Sequence, residues 1–181
     1  MSADNDWLGA DYQPHLHTQQ YAPRAAIEGV RFLDLCVFHD EGGDFCELAR
    51  LSGVQLDALP DYQPVQISYS RMEPGTIKAW HLHREQDDLW FVPPLDRVLV
   101  GLLDTRPNSA TYRQSMRFAL GTGEGRLLFI PRGVAHGVAN LGTAPASIIY
   151  FVNRAFNAER PDEHRLPWDH LGAEFWTIQP G

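Results

Sequence analysis

Three histidines occupy positions from which they could act together. The segment GTIKAWHLHREQD carries His81 and His83. Side chains two apart on a strand share a face. This predicts Ile77, Ala79, His81 and His83 on one face, two imidazoles side by side among apolar neighbours. Asp87 follows. Imidazoles beside a carboxylate suit two kinds of chemistry. They can ligate a divalent metal, or an imidazole can take a proton near neutral pH. A single inward histidine is usually a satisfied core residue; a pair followed by an acid makes chemistry an equal reading. The second segment is GRLLFIPRGVAHGVAN. Its Pro131-x-Gly133 predicts a tight turn, with His136 emerging on the strand behind it.

The remaining elements must position these groups. The chain has 181 residues, 44% of them hydrophobic and 21% charged, the profile of one ordinary globular domain. Its 15 Gly and 13 Pro are scattered, as expected for many short strands separated by turns. Strands are expected at VRFLDLCVF, VQISYSRM, TIKAWHLH, DLWFV, RVLVGLLD, SMRFAL, RLLFI, VAHGVAN and ASIIYFV. HDEGGDFCELARL reads as a turn followed by a short helix. Residues 1–25 read as an extended arm with Trp7, Tyr12 and Tyr21. Residues 26–156 read as a β-barrel domain, and 157–181 as an extension anchored by Trp168 and Trp176. There is no internal repeat and no charge block.

The net charge of −8 argues against nonspecific nucleic-acid binding. No apolar run reaches the length of a membrane helix, and MSADNDWLGADYQ lacks a signal-peptide pattern. Two cysteines, Cys36 and Cys46, cannot form a disulfide framework or a four-thiolate zinc site. They read as reduced thiols, with a cytoplasmic location expected. Trp80, Trp90 and Phe91 read first as core, and Arg106 as a surface or ion-pair residue. His15, His17, His39, His164 and His170 read as surface or capping groups.

The two histidine segments resemble the paired motifs of the cupin superfamily. Gly75, His81-x-His83 and Asp87 match the first motif, with Asp87 in place of the usual Glu and Pro94 in place of the closing Gly. Gly125, Pro131, Gly133, His136 and Asn140 match the second. The resemblance implies an all-β cupin jelly roll, a double-stranded β-helix whose mouth holds the site. A metal cupin would use His81, His83, Asp87 and His136 as ligands.

Longer stretches narrow the family. DTRPNSATY, IPRGVAHGVANL, IIYFVNRAFN and PDEHRLPWDH occur in that order. Together they resemble dTDP-4-dehydrorhamnose 3,5-epimerase, a metal-free cupin, over about residues 28 to 176. The resemblance implies a nucleotide-sugar isomerase of carbohydrate biosynthesis. It would act on a dTDP-4-keto-6-deoxyhexose, without cofactor, as a homodimer with the N-terminal arm exchanged. His81 matches the base and Tyr150 the acid on the opposite face. Lys78 and His136 would support the enolate. Gln66, Ser68, Glu47, His83 and Phe156 fall on positions near the substrate. By strand alternation Lys78 faces away from His81, so a bulge must turn it.

Several positions depart from that family. Gly42 replaces an arginine, Asp88 a phosphate-binding lysine and Ser68 an asparagine. The C-terminal segment carrying an aspartate partner for the base is missing, leaving Asp87 or Asp169 to stand in. A noncatalytic sugar-nucleotide binding protein is therefore a further reading.

Overall fold

The sheets are built from runs of apolar and β-branched residues bounded by glycine and proline turns. The computed structural model describes residues 7–19 and 26–179. Its strands are β1 (Arg31–Asp34), β2 (Val37–Asp40), β3 (Gly43–Cys46), β4 (Leu51–Ser52), β5 (Gln55–Leu56), β6 (Gln66–Met72) and β7 (Ile77–Leu82). They continue with β8 (Asp88–Phe91), β9 (Arg97–Asp104), β10 (Ser115–Gly121), β11 (Arg126–Ile130), β12 (Val134–Ala139), β13 (Ala146–Val152) and β14 (His164–Arg165). Two five-stranded antiparallel sheets face each other, in the orders β1-β11-β8-β13-β6 and β10-β9-β12-β7-β14. This is the expected all-β jelly roll. The helical elements among the described residues are two short 3-10 turns, Gln13–His15 and Ala173–Trp176.

Three apolar layers hold the sheets. Trp90, Val100, Leu102, Leu128, Val138 and Ile148 fill the space between them. Leu56, Leu59, Tyr62, Leu89, Phe91 and Phe151 cover the outer side of the first sheet. Trp80, Leu103, Ala135, Ala139 and Trp176 cover the outer side of the second. Central strands are thus buried on both faces, which explains continuous apolar runs such as RLLFI in place of alternation. Trp80, Trp90 and Phe91 are core residues, as expected.

The outer layer on the second sheet depends on two glycines. Gly101 on β9 lies opposite Gly137 on β12. A Cβ on Gly101 would come within 2.5 Å of the Phe175 ring and 2.7 Å of Trp176. A Cβ on Gly137 would come within 2.4 Å of the Ala79 Cβ. The bare backbone lets the Trp176 ring lie close against the sheet. The Trp176 indole N–H donates to the Trp168 carbonyl at 2.9 Å. Trp176 is therefore the anchor expected of it; Trp168 contributes its backbone and leaves its ring 46% exposed.

Two expectations fail. The segment after His39 is not a helix: β2 and β3 form a hairpin, followed by coil. Asp40 decides this, because its carboxylate accepts the backbone N–H groups of Gly42 and Gly43 at 2.6 and 2.9 Å, closing the turn. VRFLDLCVF is also not one strand. It breaks at Leu35, whose N–H bonds to the Gly125 carbonyl. Of the N-terminal arm, Trp7 and Tyr12 are exposed, and Tyr21 lies outside the described residues.

The buried Asp104 carboxylate organises the DTRPNSATY loop. It accepts hydrogen bonds from Arg106, Ser109 and Thr111. Although burial works against its charge, these donors hold it well below the usual carboxylate range. Arg106 is thus an ion-pair residue, at 2.8 Å from Asp104.

Candidate active site

The site begins with an irregularity in β7. His136 pairs with His81 and Val138 with Lys78, so β7 carries an extra residue between these pairs. This bulge reverses the facing of the strand. Ile77, Ala79 and Trp80 pack on the outer aromatic layer, while Lys78, His81 and His83 line a cavity between the sheets. The expectation that Ile77 and Ala79 share a face with the histidines is therefore corrected. Regular alternation does not survive a bulge. The turn invoked for Lys78 is present, and its ammonium donates to Ser70 Oγ at 2.7 Å.

The cavity has a volume of about 480 Å³ and is lined by Lys78, His81, His83, Asp88, His136 and Tyr150, among others. An outer crevice of about 840 Å³ adjoins it. His83, Gln86, Tyr150 and Glu163 line both. The crevice adds Gln66, Arg84, Arg154, Phe156 and Arg160.

Tyr150 stands on β13 opposite Trp90 and Ser68. Its ring leans on the central core while also lining the cavity. Gln66 donates to Ser68 Oγ at 3.0 Å and accepts the Phe156 N–H at 2.9 Å. Glu47 does not reach either cavity; it is exposed and pairs with Arg50 at 2.9 Å.

The three histidine rings cluster. His81 and His136 stack with centroids 5.9 Å apart, and His83 lies 5.2 Å from His136. His136 donates Nδ1–H to the Val134 carbonyl at 3.0 Å. Its Nε2 faces Asp88, 3.5 Å away. His83 donates Nδ1–H to the Asp162 carbonyl. The His81 Nδ1 lies 3.2 Å from the Glu163 carboxylate. Burial, then the neighbouring His136 and Arg165, push the His81 pKa down to about 4, against a smaller opposing pull from Glu163. Burial also lowers that of His136, with Asp88 opposing. At neutral pH His81 is therefore an unprotonated imidazole, able to accept a proton.

Asp87 is not part of this cluster. Its carboxylate is held by Arg132 and Asn153. The next residue, Asp88, points inward and is 4% exposed. Consecutive strand residues face opposite ways, so placing the acid one residue off removes it from the site. The ligand set His81, His83, Asp87 and His136 is corrected accordingly. His83, Asp88 and His136 do converge closely enough to surround an ion. Asp88 and His83 also have other hydrogen-bond partners. Asp88 accepts from Gln86 at 2.7 Å and from Trp90 at 3.0 Å, and Gln86 also reaches His83 Nε2 at 3.3 Å.

Asp88 lies between the rings of His83 and His136, 3.9 and 3.5 Å away. Sequence reasoning missed Gln86, Glu163 and Arg165 as cavity residues. The PDEHR motif was visible, but nothing local reveals that it returns alongside β7.

The model of dTDP-4-dehydrorhamnose 3,5-epimerases matches residues 24–177. The chain belongs to the dTDP-4-dehydrorhamnose 3,5-epimerase family. The spore coat polysaccharide biosynthesis protein SpsL of Bacillus subtilis is 41% identical to it over 143 residues, covering 79% of this chain and 91% of that protein. The probable low-salt glycan biosynthesis epimerase Agl13 of Haloferax volcanii is 31% identical, covering 79% and 89%. Among solved structures, the dTDP sugar isomerase of Desulfovibrio desulfuricans G20 superposes with a TM-score of 0.69 at 28% identity, covering 84% of this chain and 91% of that one. The chain is thus a sugar epimerase-type jelly roll, in agreement with the reading of its motifs. Among the described residues, no helix is long and apolar enough to cross a membrane.

Proposed function

We propose that this protein epimerises a dTDP-4-keto-6-deoxyhexose at a carbon beside the ketone. The observation that carries this reading is one cavity lined by a neutral, stacked imidazole and a phenol, His81 and Tyr150. His81 Nε2 takes the proton from the carbon. The electron pair moves into the carbonyl, forming an enolate. The Lys78 ammonium stabilises the enolate oxygen by its charge, with His136 as a further polar neighbour. Tyr150 returns a proton to the opposite face, inverting the carbon, and solvent resets both groups.

In this reading the sugar occupies the inner cavity. The nucleotide lies along the outer crevice, near Gln66, Ser68, His83 and Phe156. Arg84 and Arg160 line that crevice, supplying positive charge where Gly42 and Asp88 do not. The reading places the enzyme in the cytoplasm, where nucleotide sugars are made.

It also makes the protein a homodimer, with residues 1–25 as an arm laid on the partner, 26–156 as the barrel and 157–181 as the extension. Support comes from β6, an edge strand. Its solvent side shows Ile67 and Tyr69, 61% and 62% exposed, and apolar edge strands are commonly covered.

The test is proton NMR of dTDP-4-keto-6-deoxyglucose with the purified protein in deuterated water. Loss of the C3 or C5 proton signal is expected, abolished by His81→Ala and slowed by Tyr150→Phe. Tight binding without exchange would replace catalysis with a binding role. Exchange that tracks one retained metal per chain would instead favour metal chemistry.

A further inference from the structure

We propose that Glu163 is the positioning residue that holds His81 with its Nε2 lone pair turned into the cavity. This rests on the reading of His81 as the base. The carboxylate lies 3.2 Å from His81 Nδ1. An anion beside that nitrogen favours the tautomer with the proton on Nδ1, which leaves Nε2 unprotonated. Around His81 the cavity carries Lys78, His83, His136 and Arg165, groups that oppose a second positive charge. Asp88 faces His136 at 3.5 Å and does not contact the His81 ring. Glu163 is the carboxylate within ion-pair distance of that ring.

The segment carrying Glu163 is tied on both sides. The preceding Asp162 accepts the backbone N–H groups of Arg84, Glu85 and Gln86 at 3.0, 2.8 and 2.9 Å. Its carbonyl accepts His83 Nδ1–H. After Glu163, β14 pairs with β7, setting His164 opposite Leu82 and Arg165 opposite His81. Leu166 then exchanges backbone hydrogen bonds with Trp80. These ties fix where the carboxylate stands. Arg165 also bonds Glu163. Burial works against the charge of Glu163, but Arg165 outweighs it, and the carboxyl stays below its ordinary range. It is an anion at neutral pH.

During catalysis the substrate proton moves from carbon to His81 Nε2. The Nδ1 proton remains on His81 and Glu163 remains ionised. The resulting imidazolium at His81 is then stabilised by the adjoining Glu163 carboxylate, where an isolated imidazolium would be opposed by Lys78 and Arg165. Asp87 and Asp169 do not supply this partner. Asp87 is engaged by Arg132, and Asp169 is exposed at a turn.

The experiment uses the intact protein labelled with ¹⁵N-histidine, with no substrate present. Long-range ¹H–¹⁵N correlation identifies the His81 tautomer in the wild type and in Glu163→Ala, Glu163→Gln and Glu163→Asp. The wild type is expected in the Nδ1–H form, and Glu163→Ala in a mixture shifted toward Nε2–H. In the exchange assay, Glu163→Gln is expected to lower kcat by roughly 10²- to 10⁴-fold, the range for losing an imidazole's carboxylate partner. KM should stay within about threefold, and Glu163→Asp should recover at least about tenfold of the loss. A tautomer unchanged in Glu163→Ala, or a wild-type kcat in Glu163→Gln, overturns the proposal. Exchange that survives His81→Ala would remove the base reading alone; the tautomer measurement needs no turnover and still decides the contact.

Discussion

Replacing Trp176 by alanine should detach the C-terminal extension before it unfolds the barrel. The side chain is 1% exposed. It packs against Trp80 at a tilt and Phe175 edge-on, each with centroids 5.0 Å away, on the floor left by Gly101 and Gly137. Burying an indole removes roughly 200 Å² from water, worth about 5 kcal/mol at about 25 cal/mol per Å². The hydrogen bond to the Trp168 carbonyl adds about 1 kcal/mol. Measured losses for large aromatic truncations are about 3–5 kcal/mol. The effect here should fall at the lower end, because residues 167–179 can peel away as a unit and so limit the cost to their own docking energy. Urea unfolding should show a loss of about 3 kcal/mol, and hydrogen exchange should show lost protection in 167–176 with β9 and β12 still protected. Trp168→Ala is the control, expected to cost under about 1 kcal/mol because its ring is half in solvent. If Trp176→Ala loses less than about 1 kcal/mol and the extension stays protected, the extension is held by something other than this aromatic seat.

Asp104→Ala should cost about 3–5 kcal/mol in denaturant titration, since it leaves Arg106 without its buried partner and frees Ser109 and Thr111; a loss under about 1 kcal/mol would show that the loop is held elsewhere. Stability should also fall with acid. The folded His81 pKa is about 4, against an ordinary value of 6.5. The unfolded chain thus binds the proton first, and the stability present above pH 6.5 is lost as pH falls toward 4. The full effect is about 3 kcal/mol, with His136 acting in the same direction. Urea midpoints measured from about pH 7.5 to about 4.5 should drop in the wild type and drop less in His81→Gln. Equal slopes would mean that His81 is not buried as an uncharged ring.

Much of this architecture is written locally. Short apolar runs punctuated by Gly and Pro specify strands and turns with little help from elsewhere. His81, His136 and Tyr150 each sit in a motif readable without a fold, and the structure brings all three to one cavity. The GVAHG glycine, Gly137, is explained by Ala79 on β7 and, behind it, by the ring of Trp176, which arrives from the far end of the chain.

What the sequence by itself determined was therefore element type, jelly-roll class and three of the side chains that line the inner cavity, because strand propensity and turn chemistry are local. What only the tertiary structure decided was facing and partnership. The period-two rule orients side chains along a regular strand, and a single extra residue in β7 inverts it, bringing Lys78 beside His81 and sending Ala79 outward. Asp88 displaced Asp87 for a related reason, since one step along a strand exchanges core for surface. The hairpin at Asp40 replaced a helix because one carboxylate closed the turn. Glu163 could not be assigned from its neighbours in sequence. Its meeting with His81 exists only because Asp162 and β14 lay a distant segment along β7.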